Sequence, residues 1–132
     1  MENPSFENDA VLLEIREGTL YAQYKVAEID LATAEESTRI RQSVVGNRTL
    51  PSIVDISLVK RVPKETRIFF SSAQAGEGLS AIAVVISNPV TRTIGNFFLK
   101  FHQPNYPCKM FTSLDEASVW VHQFVQNQEL CS

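Results

Sequence analysis

Ser80-Ala81-Ile82-Ala83-Val84-Val85-Ile86-Ser87 is the stretch on which the fold turns. Between its two serines every residue is apolar, so neither face of an extended chain would be fit for water. A strand of this kind is covered on both sides and sits inside a parallel sheet. The run is far short of the about 20 apolar residues needed to cross a bilayer.

After this run, Asn88-Pro89 reads as a helix start, with asparagine as cap and proline at the first helical position. Val90, Ile94, Phe97, Phe98 and Phe101 keep helical spacing, the best such stripe in the chain. Cys108 to Phe111 is a short final strand. Ser113-Leu114-Asp115-Glu116 is a capping box opening a terminal helix whose core face holds Leu114, Ala117, Trp120 or Val121, Phe124 and Val125. On the other side, Ala75-Gly76-Glu77-Gly78 breaks a short helix that begins at Pro63 and faces inward through Thr66, Phe69, Phe70 and Ala73. Ile53-Val54-Asp55-Ile56 is a buried strand ahead of it. Thr33-Ala34-Glu35-Glu36 reads as another capping box, starting a helix that runs to about Val45 and stops at Gly46-Asn47. Its stripe, Ala34, Ser37, Ile40 or Arg41, and Val44, is only weakly apolar. Val11, Leu13 and Ile15 alternate with polar neighbours, as do Leu20, Ala22, Tyr24 and Val26. With Glu17-Gly18 between them these runs make an opening β-hairpin. Residues 1–8 read as a flexible arm.

The resulting order is β-β-α-β-α-β-α-β-α. After the hairpin, strands and helices take turns, which favours right-handed parallel crossovers. The sequence therefore predicts an α/β domain with a mixed five-stranded sheet, an N-terminal hairpin whose first strand is an antiparallel edge, and four helices.

The 132 residues suit one domain, and the 44% apolar and 20% charged shares are ordinary for a globular protein. The acidic start, Met-Glu-Asn-Pro-Ser-Phe-Glu-Asn-Asp, lacks the basic and apolar regions of a signal peptide, so the chain reads as cytoplasmic. Cys108 and Cys131 then read as reduced thiols. A net charge of −3 argues against general nucleic-acid binding, but its distribution is uneven: residues 1–36 carry −7 and residues 39–67 carry +5. The basic half can neutralise the acidic half across the folded surface, or it can steer an acidic partner.

Leu50 to Phe124 resembles the SpoIIAA-like group, related to the STAS domains and to the CRAL-TRIO lipid-binding fold. The likeness is carried by Pro51-Ser52-Ile53-Val54-Asp55-Ile56, by Arg67 followed by Ser80-Ala81-Ile82-Ala83, by Asn96-Phe97-Phe98-Leu99, by Pro107-Cys108-Lys109-Met110-Phe111 and by Glu116-Ala117-Ser118-Val119-Trp120-Val121. With the hairpin it makes residues 9–130 a single domain of this type and implies a bacterial origin. STAS proteins include anti-anti-sigma factors, in which a serine after the aspartate-ending strand is phosphorylated to block partner binding. Where that family has Asp-Ser-Ser-Gly, this chain has Pro63-Lys64-Glu65-Thr66, so the serine is missing and Thr66 is the nearest hydroxyl.

Catalytic and metal-binding constellations are thin. His102 and His122 read as helix-terminal or surface groups, no Cys/His spacing suits zinc, and Gly76-Glu77-Gly78 precedes a strand rather than a helix, unlike a phosphate loop. No cofactor or metal is expected. The leading reading is a non-enzymatic regulatory or protein-interaction domain, with Lys60, Arg61, Lys64, Thr66 and Arg67 presenting a positive surface to an unknown, acidic protein partner. Ser87, Asn88 and Arg92 form a candidate anion or ligand site at the helix start after the central strand. One alternative is a small-molecule or lipid-binding domain built on the phenylalanine-rich helices. A second is an enzyme acting through Asp55 or a histidine. A homodimer would pair through an edge strand, for which the opening hairpin offers the edge, or through an exposed helix.

Overall fold

The computed structural model describes residues 5–89, 91–94, 96 and 106–125. Among these, six strands form one sheet in sequence order: β1 (Ser5–Glu7), β2 (Val11–Arg16), β3 (Thr19–Tyr24), β4 (Leu50–Asp55), β5 (Leu79–Val85) and β6 (Cys108–Phe111). β1, β2 and β3 pair antiparallel; β3, β4, β5 and β6 pair parallel. The α/β class, the opening hairpin and the alternating order expected from sequence are all present. β5 lies between β4 and β6 with Ala81 and Ala83 fully buried, as its two-sided apolar pattern requires.

The sheet has six strands rather than five because part of the expected arm is a strand. Ser5, Phe6 and Glu7 pair with Glu14, Leu13 and Leu12, and Phe6 packs on the core. This moves the edge: β2 is flanked on both sides, so the hairpin offers no free edge for a homodimer. The outer strand β1 is only three residues long and carries an ion pair between Glu7 and Lys25 at 2.6 Å, features that discourage further pairing.

The helices are α1 (Leu31–Val45), α2 (Lys64–Phe70), α3 (Ala73–Gly76) and, at the carboxyl end, α4 (Leu114–His122). Residues 89, 91–94 and 96 are helical too. Among the described residues the expected four helices become five helical stretches because the one after Pro63 divides. α2 stops at Phe70, and Ser72 caps the separate turn α3 by accepting from the Ala75 amide at 3.2 Å. Two start signals shift. Asp30, not Thr33, caps α1, its Oδ1 accepting the Thr33 amide at 2.8 Å; Pro63 is the cap of α2 rather than its first residue. Ser113 caps α4 as expected, accepting the Glu116 amide at 3.0 Å. Val90, Phe97, Phe98, Phe101, His102 and Cys131 lie outside the described residues.

Alternation in the strands sorts side chains to two faces. Leu13, Tyr24 and Val84 point toward α1 and α2, in one cluster with Ala34, Ile56 and Val59. Ile53, Ala83 and Val85 point the other way and are covered by Ala117 and Val121 of α4. The alanine at 83 is what lets α4 sit close. Leu114, at the start of α4, is exposed rather than part of its core face. The β4–β5 register slips between Leu50 and Pro51, where proline has no amide to give to the ladder.

The β2–β3 turn also meets α4's end. Glu17 and Gly18 have φ of 51° and 78°, the left-handed pair of a tight hairpin. A Cβ on Gly18 would lie 2.6 Å from Val125 Cγ1. Gly18→Ala is therefore expected to cost about 2 kcal/mol in denaturant unfolding, from left-handed strain plus the clash. Part of that loss should return in the Gly18→Ala/Val125→Ala double variant.

Candidate functional site

Beyond the carboxyl end of β4 the chain is pinned before it reaches α2. Asp55 Oδ1 accepts the Ser57 amide at 2.8 Å, so this carboxylate, a candidate for enzyme chemistry by sequence, caps its own turn. The amides of Lys60 and Arg61 donate to the Ala27 carbonyl at 2.6 and 3.0 Å, and the Ile29 amide donates to the Arg61 carbonyl at 3.1 Å. Ile56, Val59 and Val62 are buried. With those three turned inward, Leu58, Lys60 and Arg61 face solvent, followed on α2 by Lys64, Glu65 and Ile68. Lys64 and Ile68 are one helical turn apart and share a face.

The structure thus brings Lys60, Arg61 and Lys64 onto one segment. Arg61 lies 3.5 Å from Glu28, an exposed pair worth little energetically. Among the described residues Lys60 and Lys64 have no ion-pair partner. Arg67 is partly buried. Thr66 does not join the surface: it is fully buried and its hydroxyl has no hydrogen-bond partner among the described residues. Sequence reasoning missed Leu58 and Ile68, which are 54% and 61% exposed amid the basic residues. The available signal was that Ile68 falls off the Thr66, Phe69, Phe70 stripe.

Ser87, Asn88 and Arg92 stand at the neighbouring strand end, and Ser87 Oγ donates to the Ser57 carbonyl at 3.2 Å, joining the two loops. The amides of the described residues here are already used. Those of Ser87 and Asn88 donate to Thr91 Oγ1 at 2.8 and 3.0 Å, and the Thr91 amide donates to Asn88 Oδ1 at 3.0 Å. Among the described residues the helix start thus bonds its own side chains, and Arg92 is exposed beside it. His122 is exposed on α4. Among the described residues no three His, Cys, Asp or Glu side chains are grouped to hold a metal, and no helix is long and apolar enough to cross a membrane.

A second feature lies within the fold. Between the sheet and α1, α2 and α3 is a cavity of about 90 Å³. It exists because small side chains oppose one another: Ala22 and Ser52 on the sheet, Ser37 and Thr38 on α1, Ala75 on α3. The lining is mostly apolar, with a few polar groups. Ser37 Oγ donates to the Ala34 carbonyl at 3.1 Å, which leaves Tyr24 as donor in the 2.8 Å contact between the two hydroxyls. Burial pushes the Tyr24 phenol up, Tyr106 up to about 12, and the Cys108 thiol up to about 11. Arg41, also on the lining, has its pKa lowered by burial.

This order of strands and helices is the SpoIIAA-like fold, and solved structures bear that out. An uncharacterised protein of the DUF3478 family with a SpoIIAA-like fold, from Shewanella loihica PV-4, matches with a TM-score of 0.64 at 13% identity, over 85% of this chain and 92% of that one. An anti-sigma factor antagonist from Mycobacterium paratuberculosis matches with a TM-score of 0.63 at 23% identity, over 86% and 93%. The chain itself belongs to the family described as Domain of unknown function (DUF7793), whose model matches residues 13–125. No curated protein sequence matches it.

The raised thiol makes Cys108 a poor nucleophile. A shift from 9.0 to about 11 lowers the thiolate fraction near pH 8 roughly a hundredfold. A more basic thiolate is also more nucleophilic, which returns part of that loss. Alkylation by iodoacetamide, followed by peptide mass spectrometry, should therefore be about tenfold or more slower at Cys108 in the native protein than after unfolding. The same shifts predict alkaline instability. Tyr106 and Cys108 have folded pKa values above their unfolded ones, so their contribution is complete below about pH 9 and is lost as pH rises toward 11 to 12. The melting temperature should fall across that window.

Proposed function

We propose that this domain is a non-enzymatic regulatory module that works in the cytoplasm by binding an acidic protein through residues 57–68. The carrying observation is the pairing of exposed Leu58 and Ile68 with Lys60 and Lys64, which lack ion-pair partners among the described residues. Exposed apolar side chains supply buried contact, and the uncompensated positive charge supplies orientation and encounter rate. The backbone bonds to Ala27 hold the segment in place, so little ordering cost attends binding. The similar fold of an anti-sigma factor antagonist supports a role in protein–protein regulation. The burial of Thr66 supports a surface that acts without phosphorylation at that position.

The test is affinity capture on immobilised protein, comparing the native chain with Lys60→Glu/Lys64→Glu and, separately, Leu58→Asp. Capture of an acidic partner should fall about tenfold in the charge-reversed variant and weaken with added salt in the native chain. Equal capture by native and charge-reversed protein would contradict the assignment.

A further inference from the structure

The cavity carries an inference separate from the binding surface. Thr38 on α1 and Ser52 on β4 both line it. They are buried, at 4% and 1% exposure. Neither hydroxyl makes a hydrogen bond with a described residue. The neighbouring hydroxyls differ, since Tyr24 donates to Ser37 and Ser37 to the Ala34 carbonyl. A buried donor without an acceptor is costly and rare in a folded protein. Two of them on one cavity point to a group that the space receives. We propose that the cavity binds a compact neutral carbonyl compound, such as a small ketone. Its oxygen accepts from Thr38 and Ser52, and its carbons fill the apolar remainder.

Size sets the scale of the ligand. A space of about 90 Å³ has room for about three waters, or for one molecule of about five non-hydrogen atoms. The walls decide between these. One row beyond Ser52 along the strands, about 7 Å away, the sheet wall is Val54 and Val84, and Leu13, Ile56 and Phe70 continue the lining. These side chains offer nothing to a water, which needs two to four polar partners. One oxygen at the hydroxyls with hydrocarbon beyond it satisfies both parts of the lining. A carbonyl oxygen has two lone pairs and no hydrogen, so it can accept one bond from each hydroxyl.

Arg41, also on the lining, does not turn the site toward anions. Its Nη2 donates to the carbonyls of Ala75 at 2.6 Å and Glu77 at 3.1 Å. The Glu77 carboxylate faces it at longer range, beside the phenols of Tyr24 and Tyr106. Its charge thus already sits among negative and partly negative groups. An anion in the cavity would also have to shed its water against apolar walls. A neutral carbonyl compound gives up far less.

The test is a titration of the full chain followed by amide nitrogen–proton NMR. The probes are butanone and 2-methylbut-1-ene, its counterpart with a methylene group in place of the oxygen. The amides of Val54 and Val84 should shift and saturate at millimolar butanone, with the ketone bound about tenfold more tightly than the alkene. In Thr38→Val/Ser52→Ala that preference should disappear while alkene binding is kept; a dispersed native spectrum identifies a variant that has folded. The comparison of ketone with alkene in the native chain stands without any variant. Shifts that grow with ketone concentration and never saturate, as a cavity holding only water would give, overturn the proposal. So does alkene binding as tight as that of the ketone.

Discussion

The structure depends on β5 being covered on both faces while paired on both edges. Ala81 and Ala83 are fully buried, Ile82 and Val84 face α1 and α2, and Ala83 and Val85 face α4. No polar side chain could occupy those positions without losing its water. Once β5 is interior, β4 and β6 must flank it in parallel, and the connections between them must carry helices over the sheet. The strand ends that hold Asp55 and Ser87 then fall side by side, which is how the Ser57 and Ser87 loops come to share a hydrogen bond.

The two faces are closed differently. On one, Ala117 and Val121 settle onto Ile53, Ala83 and Val85, small residues meeting branched ones at close range. On the other, α1 brings Ala34, Ser37, Thr38 and Arg41, a set too small and too polar to reach the sheet everywhere. The consequence is a cavity of about 90 Å³ beside the core cluster of Leu13, Tyr24, Ile56 and Val84. It costs dispersion contacts, and a largely buried guanidinium lies on its lining.

Much of the fold was legible because its signals are local and strong. Glu17-Gly18 demands left-handed backbone, Ser113 and Gly46 mark helix ends, and Ala81 to Ile86 is apolar in both registers. Elements that depend on distant partners were not legible. Ser5-Phe6-Glu7 is too short to show alternation and is a strand only because β2 has an open edge for it. Asp30 and Thr33 are both good caps; the buried Ile29 beside Asp30 settles which one begins α1. The basic segment was readable as charge, but not the outward turn of Leu58 and Ile68, which follows from Ile56, Val59 and Thr66 taking the inward positions. The cavity is a shortage of volume summed over several elements. Its one trace in sequence was the weak apolar stripe of α1.

Native-state amide hydrogen exchange tests the two-sided burial of β5 most directly. Amides from Ala81 to Val85, with those of Ile53 and Val54 beside them, should exchange only through global unfolding and be the slowest in the molecule, while those of β1 exchange by local fraying. Exchange at Ala83 as fast as at Phe6 would mean that β5 lies at a wet margin, and the arrangement of both the surface segment and the cavity would have to be abandoned.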